Sequence, residues 1–369
     1  MLFIDNATVD RVLTMDACIE ALDIAFRGLP TGASVHRPRI DLYVPTDETD
    51  NYYRWGTMEG ASKELGVFAI RMKSDILFWP TDELGNWQED KYCVEPGLYC
   101  GLVFLFSTMN AEPLAIINDG LIQHMRVGGG AGLGAKYLSR EDSHTVGMIG
   151  SGGMARTYLE AFCSVRDIRS VRVFSPTKAN REAYATEMAA KLEIDVQPVD
   201  TAEQAVEGAD IVSACTNAMQ PALKGAWLSA GQHVTDVRGE LDEDVYKRAT
   251  VTFMQGVSHS RPRNEDVAHM GDGYNNGDYI AGTEEEKSRL PNRHRSGGVG
   301  PRGAHPTFND MVAGTFPGRT ARDDITLYLN SGNQGLQFAA VGNAVYEKAK
   351  EMGLGRELPT EWFLQDIRD

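Results

Sequence analysis

Residues 145–162 read TVGMIGSGGMARTYLEAF. Five mostly apolar residues run into glycines at 150, 152 and 153, and a mixed polar and apolar run follows. The pattern predicts a strand that turns into a helix across a loop stripped of side chains. Gly150, Ser151, Gly152, Gly153, Met154 and Ala155 fit G-x-G-x-x-A. The first glycine permits a tight turn, the second lets a diphosphate approach the backbone, and the small last residue lets helix pack on strand. The helix start then offers unpaired N–H groups and a positive dipole end to phosphate.

The flanking sequence supplies the context that this motif needs. From 144 to about 255, strand-like and helix-like stretches alternate: TVGMI and MARTYLEAFCSV, SVRVFS and ANREAYATEMAAKL, IDVQPV and TAEQAVEGA, then DIVSACT, HVTDV and TVTFM. Such alternation predicts a parallel, doubly wound sheet. After the second strand, an NAD site places an acidic residue for the ribose hydroxyls. This chain has Ser175 there, with Thr177, Lys178 and Arg181 just behind. A hydroxyl and two cations suit a 2′-phosphate, so NADP(H) is favoured and NAD(H) stays open. The plainer reading of Lys178 and Arg181 is a solvated helix start. Thr216, closing DIVSACT, completes the candidate cofactor set.

The rest of the chain has a different texture. TMDACIEALDIAFRGL sets Ile19, Leu22, Phe26 and Leu29 at helical spacing, with Thr14 as N-cap and Gly28 or Gly32 as the stop. Between Arg37 and Asp119, RIDLYV, GVFAIRMKS and GLVFLFS predict antiparallel strands. HMRVGGGAGLGAKYL (124–138) reads as a helix whose small residues admit a close neighbour. Residues 256–306 are polar and glycine-rich, an irregular insert of the kind that forms a lid or a disordered loop. ITLYLNSGNQG then opens a strand and a helix with Phe338, Val341, Val345, Ala349 and Met352 in one stripe.

Composition excludes several classes of function. A net charge of −16 argues against a broad basic face for nucleic acid or anionic membrane. The longest apolar runs, such as PLAII, are too short to cross a bilayer. The start MLFIDNATVDR lacks a signal-peptide core. Cysteines 18, 93, 100, 163 and 215 are scattered and contain no CxxC, which reads as a reduced cytoplasmic protein without disulfides or zinc. His259, His269, His294 and His305 match no metal-ligand spacing, so no metal is expected; Arg293 and Arg295 in the insert are candidates to close over a ligand. At 369 residues, the chain suits two domains.

Four stretches in order resemble the ornithine cyclodeaminase/mu-crystallin family over nearly the whole length. They are LTMDACIEALDIAFRGLPTG with HRPRIDLYV, VFLFSTMNAEPLAIINDGLIQHMRVGGGAGLGAKYL, GMIGSGGMARTYLEAF, and AGTFPGRTARDDITLYLNSGNQGLQFAAVGNAVYEKAKEMGLG. The resemblance implies an α/β fold: a Rossmann-type doubly wound sheet at 128–324, with the insert at about 256–306. It also implies an α+β substrate-binding and dimerisation domain made from both chain ends, 1–127 and 325–369. It implies a homodimer, a small amino or imino acid substrate, and NAD(P)(H)-dependent chemistry at a C–N bond: an imino-acid or ketimine reductase or an amino-acid dehydrogenase. An ammonia-lyase of the cyclodeaminase type and a non-catalytic NADPH-binding protein are the alternatives. The family's substrate arginines fall on Arg39 and Arg126, its lysine on Arg71 with Lys73 as the alternate, and its catalytic aspartate on Asp236. The short segment after Asp236, the long insert, and Gln337 in place of an acidic residue mark a divergent member.

The residues agree in kind. An α-carboxylate needs fixed cations, and arginine offers a two-pronged one. Arg39 and Arg71 lie in half-apolar strand-like runs, and Arg126 lies among small residues with no adjacent acid. Each could instead pair with a buried carboxylate. The nitrogen of the substrate must lose or gain a proton, work for a carboxylate such as Asp236 at a strand end, unless Asp236 only caps the next turn. Glu240, Asp242 and Asp244 read as a helix start.

Overall fold

The computed structural model describes residues 1–37, 39–80, 89–218, 220–237, 239–256, 277–290 and 305–367. The predicted β/α alternation builds a parallel sheet of seven strands in the order Asp195–Pro198, Ser170–Phe174, Thr145–Ile149, Ile211–Ala214, His233–Asp236, Thr326–Leu329, Val251–Met254. Their apolar residues are buried because helices cover the sheet. The chain winds one way from Thr145–Ile149 and then returns to its other side with Ile211–Ala214. The carboxyl ends of these two neighbours therefore diverge into a crevice, the place where such sheets bind ligands. Thr326–Leu329 belongs to this sheet, past the boundary expected at 324.

Among the described residues, the second sheet has ten strands, mostly antiparallel. Its main order is Gly277–Ile280, Ile40–Pro45, Tyr52–Ser62, Val67–Phe78, Cys100–Ser107, Pro113–Asn118, Leu2–Ile4, Arg356–Glu357. Both chain ends thus lie in one sheet. The insert is not wholly irregular: Gly277–Ile280 adds a parallel edge strand to Ile40–Pro45, and Thr283 caps a short helix, Glu284–Arg289. Four residues are too few to show a period in sequence, and an open sheet edge recruits them through backbone groups alone.

Two helices join the halves. Gln334–Glu351 lays Phe338, Val341 and Val345 into a core shared with Val67, Ala69, Val103, Leu105 and Ile117 of the antiparallel sheet. Gly120–Leu138 packs on the nucleotide-motif helix Gly153–Val165 and on the parallel sheet. Its glycines permit that approach: a Cβ on Gly128 would lie 2.6 Å from the Thr157 carbonyl oxygen, and one on Gly134 2.3 Å from the Tyr328 ring. Among the described residues, no helix is long and apolar enough to cross a membrane.

Candidate active site

The glycine motif occupies the crevice. Gly150 has φ +113°, and its missing Cβ would fall 2.1 Å from the Cys215 carbonyl oxygen, so the neighbouring strand leaves no room for a side chain. Gly152 caps the helix with no side-chain bond, and nothing lies within 4 Å of its absent Cβ. That pairing of a crowded first glycine with an open second one fits a diphosphate set on the helix start. Ala155 is fully buried, and Met154 packs beside the same core. The Ser151 carbonyl accepts from Arg156 at 2.6 Å.

At the next strand end, Ser175 is buried and its carbonyl accepts from Arg181 at 3.0 Å. Arg181 also meets Asp200 at 2.5 Å, so its guanidinium turns away from open solvent. Thr177 and Lys178 stay exposed, Lys178 only 3.7 Å from Glu182. Thr216 lies one residue beyond the Cys215 contact and donates its N–H to Glu240 at 3.2 Å.

A buried charged layer lies on the helix-covered face of the antiparallel sheet. Along Val67–Phe78, the inward positions change from Val67 and Ala69 to Arg71, Lys73 and Asp75. Arg71 pairs with Asp119 at 2.5 Å. Arg126 sits beside it, and both guanidinium groups cover the Phe338 ring, at 5.4 and 4.9 Å. Among the described residues, Arg126 donates only to neutral amides, to Gln337 at 2.8 Å and Gln123 at 3.0 Å, and its Nε has no partner. Burial, together with the nearby Arg71 charge, pulls its pKa down to about 9. Among the described residues, the pair Arg71 and Arg126 therefore shares one close carboxylate, Asp119, and the layer is short of an anion there.

Lys73 and Arg39 lie further along. Lys73 fits between Gly56 and Gly101 on the flanking strands, 3.4 Å from Asp75. Burial and the charges of Arg39 and Arg54 hold its ammonium well below the usual lysine range. Arg39 pairs with Asp41 at 2.8 Å and remains within electrostatic reach of Arg126. Arg71, rather than Lys73, shares the Phe338 face with Arg126.

Asp236 ends its strand between Ala214 and Leu329, in register with both. Burial and the adjacent Glu240 carboxylate push its pKa up to about 7, although the Gly239 N–H donates to it at 2.7 Å. Glu240 does not start a helix as expected; Asp242 caps Glu243–Arg248 instead, while Glu240 is buried against Thr216 and Val237. The Tyr158 hydroxyl donates to the Asp236 carbonyl at 3.0 Å and accepts from Asn330, which also holds the Val127 carbonyl. The strand bearing Asp236 and the helix bearing Arg126 are thereby tied together.

Sequence reasoning missed Asp119, Glu240, Tyr158, Asn330 and Phe338. Only Asp119 left a signal: Gly101, a glycine inside an apolar strand, whose Cβ would lie 2.1 Å from the Asp119 carboxylate. His259, His269, His294, Arg293 and Arg295 lie outside the described residues. Among those described, no group of three or more His, Cys, Asp or Glu could hold a metal ion.

The family model described as ornithine cyclodeaminase/mu-crystallin matches residues 98–353. An uncharacterized cyclodeaminase of Sinorhizobium fredii is 27% identical over 93% of this chain and 93% of its own. Among solved structures, the Delta(1)-pyrroline-2-carboxylate reductase of Thermococcus litoralis, in complex with NADH and L-proline, has a TM-score of 0.73. It is 24% identical and covers 97% of this chain and 100% of its own. An archaeal alanine dehydrogenase dimer with bound NAD has a TM-score of 0.72 at 22% identity, over 97% and 99% of the two chains.

Proposed function

The chain belongs to the ornithine cyclodeaminase/mu-crystallin family, and from that premise we propose that it is an NAD(P)(H)-dependent oxidoreductase acting on the C–N bond of a small amino or imino acid. The observation that carries this reading is the buried Arg126, bonded to neutral amides alone and adjoining both Arg71 and the nucleotide-binding half. Such a cation wants an anion, and an α-carboxylate offers two oxygens to its fork.

The residues present fit a dinucleotide: an open Gly152, a crowded Gly150 and a free helix start. Its nicotinamide would supply or accept the hydride. The chain's own residues orient the substrate and handle its proton. Arg126 and Arg71 hold the carboxylate, and Phe338 fixes both guanidinium planes. Asp236, protonated below about pH 7, can give a proton to an imine nitrogen; ionised, it can take one from an ammonium. Ser175, Thr177 and the exposed Lys178 favour NADP(H) over NAD(H), without the acid an NAD site places there. The cysteines described are all free, which suits a reducing cytoplasm.

We also propose a homodimer. The outer face of the antiparallel sheet carries Phe68, Ile70, Leu102, Phe104 and Phe106, only half covered in one chain. A second copy of the same face is the occupant we assign, as a dimer is the form of the related alanine dehydrogenase.

A panel of 2-oxo acids with ammonia or methylamine, and of cyclic imino acids, tests the activity through loss of NADPH absorbance. Consumption of NADPH supports a reductase. Ammonia released from a diamino acid with no net change in cofactor makes the chain a cyclodeaminase instead, and tight NADPH binding without any turnover makes it a binding protein.

A further inference from the structure

The third glycine of the loop, Gly153, holds a position the motif leaves free for any side chain. The side chain nearest that position comes from another helix. His124, reaching across from the Gly120–Leu138 helix, puts its Nε2 3.1 Å, Cδ2 3.3 Å and Cε1 3.6 Å from where a Cβ would stand. An imidazole from another element thus fills the space against the first turn of the nucleotide helix, beside the open Gly152.

The Gly120 backbone, one turn back on the same helix, favours the charged ring of His124. Nε2 is the ring atom nearest the loop, so a proton gained there faces the first turn of the nucleotide helix. Burial, and to a lesser degree the Arg126 charge, keep the ring below the usual histidine range, while Asp119 acts the other way. From the nucleotide helix, the nearest charged side chain in sequence, Arg156, turns to Glu187 and the Ser151 carbonyl. A diphosphate on this helix start brings two negative charges, and an opposite charge within a few ångströms favours the imidazolium.

We propose that His124 is a wall of the dinucleotide cradle: its Nε2 takes a proton from solvent as the diphosphate enters and donates it in a charged hydrogen bond to a phosphate oxygen. The inference rests on the cofactor reading above. It makes dinucleotide binding a proton-uptake step, so affinity falls as pH rises between the free and bound values of the ring.

Calorimetric titration of the full chain in two buffers of different ionisation enthalpy counts the protons. NADH is used alongside NADPH because it lacks the 2′-phosphate, which itself titrates near pH 6. The parent should take up a substantial fraction of a proton per NADH at pH 7. His124→Gln, which keeps a neutral donor, and His124→Ala should take up almost none. Both should bind about tenfold more weakly or worse at pH 6.5, with affinity flat across pH 6–8. Circular dichroism confirms that each variant is folded, and Gln serves if Ala is not. Unchanged proton uptake in a folded variant, or none in a parent that binds, overturns the inference and leaves the cofactor reading intact. A parent that binds neither nucleotide overturns both.

Discussion

Asp236 and Arg126 are both charged groups in places that disfavour charge, and each displacement has a measurable consequence. Asp236 is lifted from an ordinary value of 3.8 to about 7. The folded chain therefore holds more protons than the unfolded chain between those two values, and stability declines as pH rises through that window. The kinetic signs oppose each other. Imine reduction needs the protonated form, so its rate should fall above about pH 7, whereas amine oxidation should rise through the same point. Asp236→Asn should cost about 10²–10⁴-fold in turnover, abolish that limb in both pH profiles, and leave NADPH binding unchanged. For Arg126, the alanine variant should lose about 30-fold or more in kcat/KM, because a buried substrate carboxylate loses its main partner. Gln337→Glu gives a sharper test. It places a carboxylate 2.8 Å from Arg126 where a neutral amide now sits, so the substrate must compete with it and KM should rise. An Arg126→Ala enzyme with the parent's kcat/KM would remove Arg126 from the site.

At the scale of elements, the glycines divide into those that make room for protein and those that make room for a ligand. Gly134 belongs to the first group. A Cβ there meets the buried Tyr328 ring at 2.3 Å, so Gly134→Ala should destabilise the chain by about 1–3 kcal/mol in a denaturant titration. On the proposed cofactor reading, Gly152 belongs to the second. Its φ of −84° suits any residue and its Cβ would meet nothing. Gly152→Ala should leave the unfolding midpoint nearly unchanged while weakening NADPH binding, since the methyl group enters the space for the diphosphate. Equal effects on stability and affinity would mean that the open space is only a packing feature. The sequence already showed this helix as small-residue-rich and the loop as nucleotide-like. It did not show which glycine answered to which neighbour, because Tyr328 lies almost 200 residues further along the chain.

For the whole molecule, the antiparallel sheet has one face under the Gln334–Glu351 helix and one half-bare. Phe68 and Phe106, rings 6.2 Å apart, and the register pair Ile70 and Phe104 form the middle of the bare face. If a second copy covers it, sedimentation at micromolar concentration should give a dimer of about 80 kDa, twice the 40.5 kDa chain. Phe104→Asp should give a monomer, because a carboxylate cannot be buried there unpaired. A parent chain that sediments as a monomer would leave this face open.

Local pattern determined much of this protein. The glycine motif after an apolar strand, the β/α alternation and the amphipathic last helix all follow from neighbours in sequence, and each is present where the residues placed it, except that Met352, expected in the apolar stripe, lies exposed just past the helix end. The same chemistry of residue type marked Arg126, Arg71 and Asp236 as candidates. Only the tertiary structure decided what surrounds them. Asp119 comes to Arg71 across a glycine in the next strand, Glu240 turns inward to crowd Asp236, and His124 crosses from one helix to the start of another. Charge state depends on burial and on charges a few ångströms away, and neither distance is written in the spacing of residues along the chain.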